Sequence, residues 1–355
     1  MKIFDEMEKR GHEELIFNYF GDVDLKMIVS LHDTTPGKTL GGLRMGYYDT
    51  EDKAVLESMR LSQIMTYQSA AADIDCGGGS VVLWGDPGKH KSEAYFRAVG
   101  RLIESLKGRI SVYPDMGTDS QDFKYIQRET ERTIYRSSAV DNSRISADIT
   151  AYGVYWGIKA CAKVAFGSSD LTGRSFTVQG LGKVGSSLIN YLKKEDTRLI
   201  VTDYVFDRIK EAEDKYSDIT VVRPEKIFSE KADFFVPCAQ GSVITGRTLD
   251  SLQCRVVAGP AYTVFADEGL MAEAHKRGIL YAPDFIISSA ELFLLDKDLK
   301  LDSLKKAKEE AKIIYSVLLD VFTRAREEGV PPFELARKEA LERYRKLDQI
   351  KNILC

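Results

Sequence analysis

The residues best suited to chemistry form a glycine-rich turn in the middle of the chain. Residues 180–185 read GLGKVG, which fits the pattern G-x-G-x-x-G, and a short apolar and β-branched run at 175–178 precedes them. In this pattern the first glycine permits a tight turn, the second lets a pyrophosphate approach the backbone, and the third lets the next helix pack on the strand. The free N–H groups at the start of that helix favour a phosphate. The turn therefore predicts a dinucleotide site.

An acidic residue behind the turn indicates which dinucleotide is bound. Asp203 follows the apolar run at 199–201, at about the distance from the glycines that is typical of such sites. A carboxylate there accepts hydrogen bonds from ribose hydroxyls and repels a 2′-phosphate, which favours NAD over NADP. The alternative is a structural turn without a ligand, but the strand, the amphipathic helix and the acid together favour binding. We therefore predict NAD as the cofactor.

The composition of the chain narrows the class of protein and of partner. The 355 residues are 44% hydrophobic and 29% charged, with a formal net charge of −4, as in a globular protein of two domains. A binder of nucleic acid or acidic membranes would be basic, and no apolar run is long enough to span a membrane. The five cysteines never form a C-x-x-C pair, which disfavours structural zinc and disulfides. We therefore expect a cytoplasmic protein that binds a small molecule and no metal.

Alternating strand and helix patterns before the turn predict an α/β fold. Paired glycines at 41–42 indicate a place where the backbone approaches a ligand or another strand. Residues 76–80 are expected to interrupt the regular secondary structure before a buried strand. A polar segment at 137–148 is the predicted domain junction. The predicted strands are at 15–20, 25–31, 81–84 and 110–113, and the predicted helices at 50–72, 91–106 and 119–136.

After the junction the pattern predicts a doubly wound sheet, with helical or loop sequence between its strands. A helix at 150–165 leads into the strands that flank the glycine turn, and further strands are predicted at 219–222, 234–237, 256–258 and 279–282. One long helix at 302–328 and a final helix at 333–351 follow, separated by two prolines.

Taken together, these motifs resemble the Glu/Leu/Phe/Val dehydrogenase family, and in particular its leucine and phenylalanine dehydrogenase branch. The likeness runs along nearly the whole chain and is far more specific than the glycine turn alone. It is carried by HDTT at 32–35, GGLRM at 41–45, MTY at 65–67, GGG at 77–79, DP at 86–87, DMGT at 115–118, TAYGV at 150–154, VQGLG at 178–182, PCA at 237–239 and YAPD at 281–284.

The resemblance implies two domains with an active site in the cleft between them. Residues 1–137 plus 330–355 would form an α/β catalytic, dimerisation-type domain, and residues 138–329 a Rossmann NAD-binding domain. The implied reaction is the reversible NAD-linked oxidative deamination of an apolar amino acid by a homo-oligomer. The implied cofactor contacts are Thr150, Gly180, Gly182, Lys183, Val184, Gly185, Asp203, Cys238, Ala239, Gln240, Ala261 and Tyr262, and the implied substrate contacts are Leu40, Gly41, Gly42, Met65 and Gln68.

The resemblance fails at the residues that carry the chemistry. The family has a carboxylate-binding lysine in M-T-Y-K and a catalytic lysine in G-G-G-K, and these positions are Gln68 and Ser80 in this chain. Asp115, which matches the family's catalytic aspartate, is present. A G-x-A-N-N-Q stretch is replaced at 259–264 and an N-A-G-G stretch at 288–291. We therefore predict a catalytic centre at Asp115, Ser80 and Gln68 that lacks both lysines.

The missing lysines change the expected reaction. Hydride transfer needs mainly positioning, whereas deamination also needs a base tuned near neutral pH to activate water. We therefore expect an NAD(H)-dependent oxidoreductase that acts on a CH–NH or C=N bond of a substrate other than a plain apolar α-amino acid; a biosynthetic role on an amine or imine would fit. Two alternatives stay open: a catalytically silent NAD-binding member, and a leucine- or phenylalanine-type dehydrogenase with relocated catalytic groups.

Residues near this centre have competing interpretations. Ser80 could act as a nucleophile only with an adjacent base, for which Asp115 is the candidate. Gln68 could hydrogen-bond a substrate carbonyl or amide through its own amide, or it could simply pack. Asp73 and Asp75 could bind a cationic group of the substrate, or they could lie in a solvated loop.

Overall fold

A computed structural model of the chain describes residues 1–134, 142–239, 241–295 and 301–354. The chain divides into two compact units, Met1–Ala139 with Ala340–Cys355, and Val140–Glu339. We refer to them as unit 1 and unit 2. Over the described residues, no helix is both long and apolar enough to cross a membrane.

Unit 1 is built on one mixed sheet. Its strands lie in the order β1-β2-β4-β3-β5; β2 is antiparallel to β1 and β4, and β3 is parallel to β4 and β5. The α/β class predicted for this part of the chain is confirmed. The elements are α1 (Ile3–Arg10), β1 (Glu14–Phe20), β2 (Leu25–Leu31), β3 (Thr39–Gly46), α2 (Glu51–Ala71), β4 (Gly77–Trp84), α3 (Glu93–Ser105), β5 (Ile110–Pro114) and α4 (Ser120–Ile126).

Local sequence signals explain where the two main helices of unit 1 begin. The hydroxyl of Thr50 accepts the N–H of Lys53 at the start of α2, and the hydroxyl of Ser92 accepts the N–H of Tyr95 at the start of α3. Such caps satisfy N–H groups that have no partner inside the helix. The predicted helices at 50–72 and 91–106 and the predicted strands at 15–20, 25–31 and 110–113 are confirmed.

The sheet of unit 1 is covered on both faces, because successive residues of a strand point to opposite sides. Met27 and Val29 of β2 belong to the core cluster that contains Phe96 of α3. Ile28, which lies between them, belongs to the cluster that contains Met59 of α2. Helix α2 therefore packs on one face of the sheet and α3 on the other.

The glycines before the predicted strand at 81–84 belong to β4, so the predicted break at 76–80 is wrong. A side chain on Gly78 would place its Cβ 2.1 Å from the carbonyl oxygen of Ser62. A Cβ on Gly41 would lie 2.3 Å from the carbonyl oxygen of Gly79. These glycines mark the close approach of α2 and β3 to β4, which is a contact within the protein.

The predicted helix at 119–136 is wrong beyond Ile126, where α4 ends. The chain then returns to β5: Ile134 donates its N–H to Val112 at 2.8 Å, and Val112 donates to Arg132 at 3.0 Å. Backbone groups that pair with a strand cannot continue a helix. Residues 135 and 136 lie outside the described residues.

Unit 2 contains a six-stranded, fully parallel sheet in the order β11-β10-β9-β6-β7-β8. Along the chain, the strands from β6 to β8 extend the sheet towards one edge, and the strands from β9 to β11 then extend it towards the other edge, as in a doubly wound fold. The elements are α5 (Asn142–Phe166), β6 (Ser175–Gln179), α6 (Lys183–Leu192), β7 (Arg198–Thr202), α7 (Phe206–Lys215), β8 (Thr220–Val221), β9 (Phe234–Pro237), α8 (Gly246–Ser251), β10 (Val256–Val257), α9 (Glu268–Lys276), β11 (Leu280–Tyr281), α10 (Asp284–Ile287), α11 (Leu292–Leu295), α12 (Leu301–Ala311), α13 (Ile313–Glu328) and α14 (Pro332–Leu354).

Two helix predictions for this half need correction. The single helix expected at 302–328 is two helices, because the chain makes a tight turn at Lys312, whose N–H reaches the carbonyl of Glu309. Helix α5 starts at Asn142, inside the segment predicted as a polar junction, because Ile149 and its neighbours are buried and extend the apolar face of the helix.

The last helix belongs to both units. Phe333 is part of a core cluster of unit 2, whereas Tyr344 is buried in unit 1. The division at 339/340 therefore falls inside α14, and the junction predicted at 329/330 lies just before this helix.

The contact between α2 and β4 gives a first prediction. Gly78→Ala would force these elements apart, and we expect it to destabilise folding by about 1–3 kcal/mol, the usual cost of overpacking. Gly46→Ala is the matched control in β3, since its Cβ would meet no atom closer than 3.7 Å. Urea denaturation of both variants checks this; equal stability of the two would contradict the close contact.

Candidate functional site

The glycine turn lies where the strand order of the parallel sheet reverses. Gly180 follows β6 with a φ of 101°, a conformation that favours glycine. Its N–H donates to Thr202 at the end of β7, and a Cβ on Gly180 would lie 2.9 Å from the amide nitrogen of Ala239, beyond β9. The turn therefore packs between the carboxyl ends of β6, β7 and β9, which is the place where doubly wound sheets bind their ligands.

The other two glycines of the turn have different surroundings. Gly182 caps the N-terminus of α6, and a Cβ there would meet no atom within 4 Å. A Cβ on Gly185 would lie 2.1 Å from the carbonyl oxygen of Gly180. Gly185 is thus required by packing, whereas Gly182 leaves an open space in front of the N–H groups of a helix start. That space suits the close approach of a phosphate.

Asp203 supports this turn from the end of β7. Its Oδ2 accepts the N–H of Leu181 at 2.7 Å, and its Oδ1 accepts the N–H of Val205 at 2.8 Å. The side chain is only 7% exposed. The carboxylate thus fixes the backbone of the glycine turn, and its predicted contact with a ribose stays a prediction.

The remaining predicted cofactor residues lie on elements around this edge. Lys183 and Val184 open α6, and Cys238 and Ala239 follow β9. Thr150 lies in α5 and donates its hydroxyl to the carbonyl of Ser146 at 3.0 Å. In the loop after β10, Ala261 donates its N–H to Pro237 at 3.1 Å, and Tyr262 follows it. Gln240 lies outside the described residues.

In unit 1, Asp115 lies directly after β5 and is held by a cation. Its Oδ2 accepts Nε of Arg44 at 2.9 Å, and its Oδ1 accepts Nη2 of the same guanidinium at 3.3 Å and the N–H of Met116 at 2.7 Å. Gly42 makes room for this carboxylate, because a Cβ there would lie 3.0 Å from it. Asp115 is therefore one half of a two-point ion pair.

Arg44 joins Asp115 to a second acid. Its Nη1 also donates to Glu57 of α2, and the side chains of Arg44 and Glu57 are 14% and 17% exposed. Burial alone would lower the pKa of the guanidinium, but the two carboxylates raise it above its ordinary value, with Asp115 contributing most. The cation is permanent, and it satisfies the charge of Asp115 within the protein.

Ser80 lies on the α2 side of β4 and is fully buried. Its hydroxyl donates to the carbonyl of Ser58 at 2.7 Å and lies 2.9 Å from the hydroxyl of the same residue. Among the described residues, Ser58 is the hydrogen-bond partner of this hydroxyl, and Asp115 is not. The geometry gives no support to Ser80 as a nucleophile with Asp115 as its base.

The predicted substrate contacts are divided between two elements. Leu40, Gly41 and Gly42 lie on β3, opposite residues 111–113 of β5. Met65 and Gln68 lie in the last turns of α2, and the two side chains are buried. The structure therefore gathers these residues around β3 and the end of α2, within unit 1.

A feature that the sequence did not predict is a buried polar seam between α2 and the sheet, formed by His12, Ser30, His32, Ser58, Ser62, Thr66 and Ser80. Nε2 of His12 lies 3.0 Å from the hydroxyl of Ser62, which lies 2.9 Å from that of Ser30. Nδ1 of His32 lies 2.8 Å from the hydroxyl of Thr66. Hydroxyl residues spaced four apart on an otherwise apolar helix face could have revealed it.

The two acids before β4 have a partner inside the chain. Asp73 and Asp75 accept hydrogen bonds from Nη2 of Arg343 in α14, at 2.9 and 2.7 Å. Beside it, the hydroxyl of Tyr344 donates to the carbonyl of Cys76 at 2.7 Å. These contacts favour a structural role for the acids over the binding of a cationic substrate group.

Burial also decides the state of the neighbouring thiol. Cys76 is 5% exposed, and burial raises the pKa of its thiol to about 11. At neutral pH the thiolate is therefore scarce, and the thiolate is the reactive form. Cys76 packs as a small apolar residue.

A doubly wound sheet with a glycine turn at its reversal point is typical of dinucleotide-binding enzymes. Residues 22–132 match the family model described as Glu/Leu/Phe/Val dehydrogenase, dimerisation domain. The chain is 39% identical to leucine dehydrogenase from Thermoactinomyces intermedius over 343 residues, which is 97% of this chain and 93% of the relative. It therefore belongs to the Glu/Leu/Phe/Val dehydrogenase family.

Two further comparisons agree with this assignment. Phenylalanine dehydrogenase from Thermoactinomyces intermedius is 35% identical over 353 residues, which cover 99% of this chain and 96% of the relative. The crystal structure of L-tryptophan dehydrogenase from Nostoc punctiforme matches with a TM-score of 0.78 and 33% identity, covering 97% of this chain and 99% of that one. The expected family and the two-domain α/β fold are confirmed.

The polar seam gives a prediction about pH. Burial lowers the pKa of His12 to about 3 and that of His32 to about 4, from an ordinary value of 6.5. Both imidazoles stay neutral in the folded chain at pH 5 but take up a proton on unfolding. Stability is therefore present in full above pH 6.5 and falls as the pH drops towards 4, by about 2 kcal/mol per histidine at pH 5.

Urea denaturation at pH 7.5 and pH 5 measures this loss. His12→Gln and His32→Gln should each remove about half of the difference between the two pH values, whatever they do to stability at pH 7.5. An unchanged difference in both variants would show that other groups cause the pH dependence.

Proposed function

We propose that the chain is an NAD(H)-dependent oxidoreductase that acts on a CH–NH or C=N bond. The observation that carries this proposal is the open space at Gly182, in a glycine turn at the reversal of a doubly wound sheet. The family membership supports the same chemistry, because the relatives are leucine, phenylalanine and tryptophan dehydrogenases.

The residues around the turn fit a dinucleotide. The start of α6 offers N–H groups for the pyrophosphate, and Gly182 lets it approach. The nicotinamide would supply the hydride acceptor or donor, and the chain would hold the reacting carbon against it. Thr150 and the loop at 259–264 are the candidates for the nicotinamide side.

The proposed substrate is not a plain apolar α-amino acid. Gln68 and Ser80, where the family has lysines, are buried and uncharged, and the hydroxyl of Ser80 is taken up by Ser58. Asp115 is paired with Arg44. No lysine is present at these positions to bind a substrate carboxylate. The base of tuned pKa that must activate water for the hydrolysis of an imine is absent there as well. Formation or reduction of a C=N bond needs no such base, so an amine or imine substrate, in a biosynthetic role, fits best.

Each alternative has one observation in its favour. The pairing of Asp115 with Arg44 favours a catalytically silent member, because that carboxylate is already satisfied. The 39% identity to a leucine dehydrogenase favours a dehydrogenase of that type with relocated catalytic groups. Turnover of different substrate classes separates these alternatives from the proposal.

The proposal includes a homo-oligomer in the cytoplasm. The matching family model describes a dimerisation domain, which supports self-association through unit 1. The five cysteines are scattered and odd in number, which fits a reducing compartment better than a disulfide framework. Light scattering coupled to size-exclusion chromatography gives the subunit number.

The open space at Gly182 gives a direct test of cofactor binding. Gly182→Ala adds a methyl group where the protein has room, so folding should change by less than about 0.5 kcal/mol. The methyl group would, however, stand in the path of the pyrophosphate, and we expect NADH affinity to fall at least about tenfold. Fluorescence titration with NADH measures this, and Gly246→Ala, also in open space, is the control. Unchanged NADH affinity in Gly182→Ala would contradict the site.

A substrate panel tests the reaction. With NAD, we expect oxidation of L-leucine, L-phenylalanine and L-tryptophan to be at least about 100-fold slower than in a dehydrogenase that has both lysines. The oxidation of amines with NAD, or the reduction of cyclic imines with NADH, should proceed at a measurable rate. Amino-acid oxidation at ordinary rates would refute the substrate proposal, and NADH binding without any turnover would favour the silent member.

Restoring the lysines is the complementary experiment. The double variant Gln68→Lys with Ser80→Lys should regain oxidative deamination of L-leucine or L-phenylalanine if the lost charges are the cause. Because Ser80 packs against Ser58, NADH binding and urea denaturation must first show that the variant folds. A folded, NADH-binding variant that stays inactive would show that the lost charges are not the cause.

A further inference from the structure

The loops that follow β9, β10 and β11 are joined at one residue, Thr263, which lies in the loop after β10. Its N–H donates to Oδ2 of Asp284, the first residue of α10, at 2.6 Å. Its carbonyl accepts the N–H of Ser242, in the loop after β9, at 2.5 Å. Because β10 lies between β9 and β11 in the sheet, Thr263 connects the β10 loop to the loops on both sides of it.

The backbone of Thr263 has a conformation that its residue type disfavours. Its φ is 54°, in the left-handed region, and a β-branched side chain there is a genuine outlier. Such a conformation persists only where the surrounding structure imposes it, and it is concentrated at functional sites. Asp284 and Ser242 impose it here, because they bind both polar groups of the Thr263 backbone.

Close packing holds the β10 loop against the end of β9. A Cβ on Gly241 would lie 1.9 Å from the carbonyl oxygen of Tyr262, and a Cβ on Gly259 would lie 2.4 Å from that of Pro237. The N–H of Ala261 donates to the same carbonyl of Pro237 at 3.1 Å. The position of the loop is therefore set by its backbone contacts.

The place of this loop in the sheet matches one half of a dinucleotide. A doubly wound sheet has two mononucleotide-binding halves, and the dinucleotide lies across both of them. The glycine turn belongs to the half formed by β6, β7 and β8, and the β10 loop belongs to the half formed by β9, β10 and β11. In NAD(H) the second mononucleotide carries the nicotinamide, so the β10 loop lies on the nicotinamide side.

We propose that Asp284 and Thr263 are positioning residues for the nicotinamide half of the cofactor. Asp284 holds the left-handed turn at Thr263, and this turn fixes the edge against which the nicotinamide mononucleotide is bound. The adenosine half is independent of both residues. The inference rests on the proposed dinucleotide function and adds an element that orients the ring, which hydride transfer requires.

Comparison of NADH with ADP-ribose, which lacks the nicotinamide, tests this proposal, and isothermal titration calorimetry measures both dissociation constants. Asp284→Ala should weaken NADH about tenfold, the effect of a lost backbone hydrogen bond, and change the affinity for ADP-ribose by less than about threefold. The emission of bound NADH should also shift towards that of free NADH. Asp284→Asn, which keeps an oxygen acceptor, should recover most of the NADH affinity.

Thr263→Asn separates the backbone conformation from the side chain. Asparagine adopts the left-handed region more readily than threonine, so this variant should raise the urea midpoint and keep the NADH affinity within about threefold of the wild type. A loss of NADH affinity as large as that in Asp284→Ala would overturn the proposal, because the side chain of Thr263 would then be the important contact.

Asp233→Ala is the matched control. Asp233 also accepts a backbone N–H, that of Ser175 at 2.9 Å, but it precedes β9 and lies at the opposite, amino edge of the same sheet. The variant should lower the urea midpoint and leave the ratio of the NADH and ADP-ribose affinities unchanged. A change of this ratio equal to that in Asp284→Ala would overturn the proposal, because any loss of stability would then produce it.

The outcomes separate the two proposals. Failure of the wild-type chain to bind either NADH or ADP-ribose would refute the dinucleotide function itself. Binding of both ligands with an unchanged affinity ratio in Asp284→Ala would overturn only the inference about Asp284. Equal wild-type affinity for both ligands would also overturn it, because no part of the chain would then hold the nicotinamide half. If Asp284→Ala does not fold, Asp284→Ser, whose shorter side chain loses the same contact, takes its place with the same expectation.

Discussion

The close approach of α2 to β4 is the constraint on which unit 1 depends. Gly78 has no side chain, so the backbone of the helix almost touches the strand, and polar groups there are shut off from water. Buried polar groups are costly unless they are hydrogen-bonded. The hydroxyls of Ser58, Ser62 and Thr66 meet this need, and one of them takes the hydroxyl of Ser80 as its partner. The packing of α2 against β4, as well as any ligand, therefore limits which residue can occupy position 80.

The two units use their polar groups in opposite ways. In unit 1 the acid, the guanidinium and the hydroxyls of the candidate centre are paired with one another, so little hydrogen-bonding capacity is left over. In unit 2 the glycine turn leaves the N–H groups at the start of α6 facing an open space at Gly182. A helix start with open space before it favours the approach of an anion. The structure therefore leaves room beside the glycine turn of unit 2, whereas Ser80 and Asp115 of unit 1 are paired within the protein.

The sequence was sufficient for features that depend on local chemistry. The glycine turn, the cap of α2 at Thr50 and the alternation of strands and helices could all be predicted, because neighbouring residues determine them. Contacts between residues that are distant in the sequence could not be predicted. The partner of Asp73 is Arg343, 270 residues away, and the partner of Ser80 lies on another element. The end of α4 is not predictable from the sequence for the same reason, because the chain that follows it pairs with β5.

The charges that surround Asp115 bear on what unit 1 can recognise. Arg44 pairs with Asp115 and with Glu57, and Glu57 in turn pairs with Arg60 at 3.1 Å, so two acids and two bases compensate one another. A substrate carboxylate would have to break one of these pairs to gain a cation, and the desolvated partner left behind would be costly. A neutral imine needs no such exchange, because it can accept a hydrogen bond without a counter-charge. The compensated charges and the absence of a lysine at positions 68 and 80 therefore both weigh against the binding of a carboxylate at these positions of unit 1.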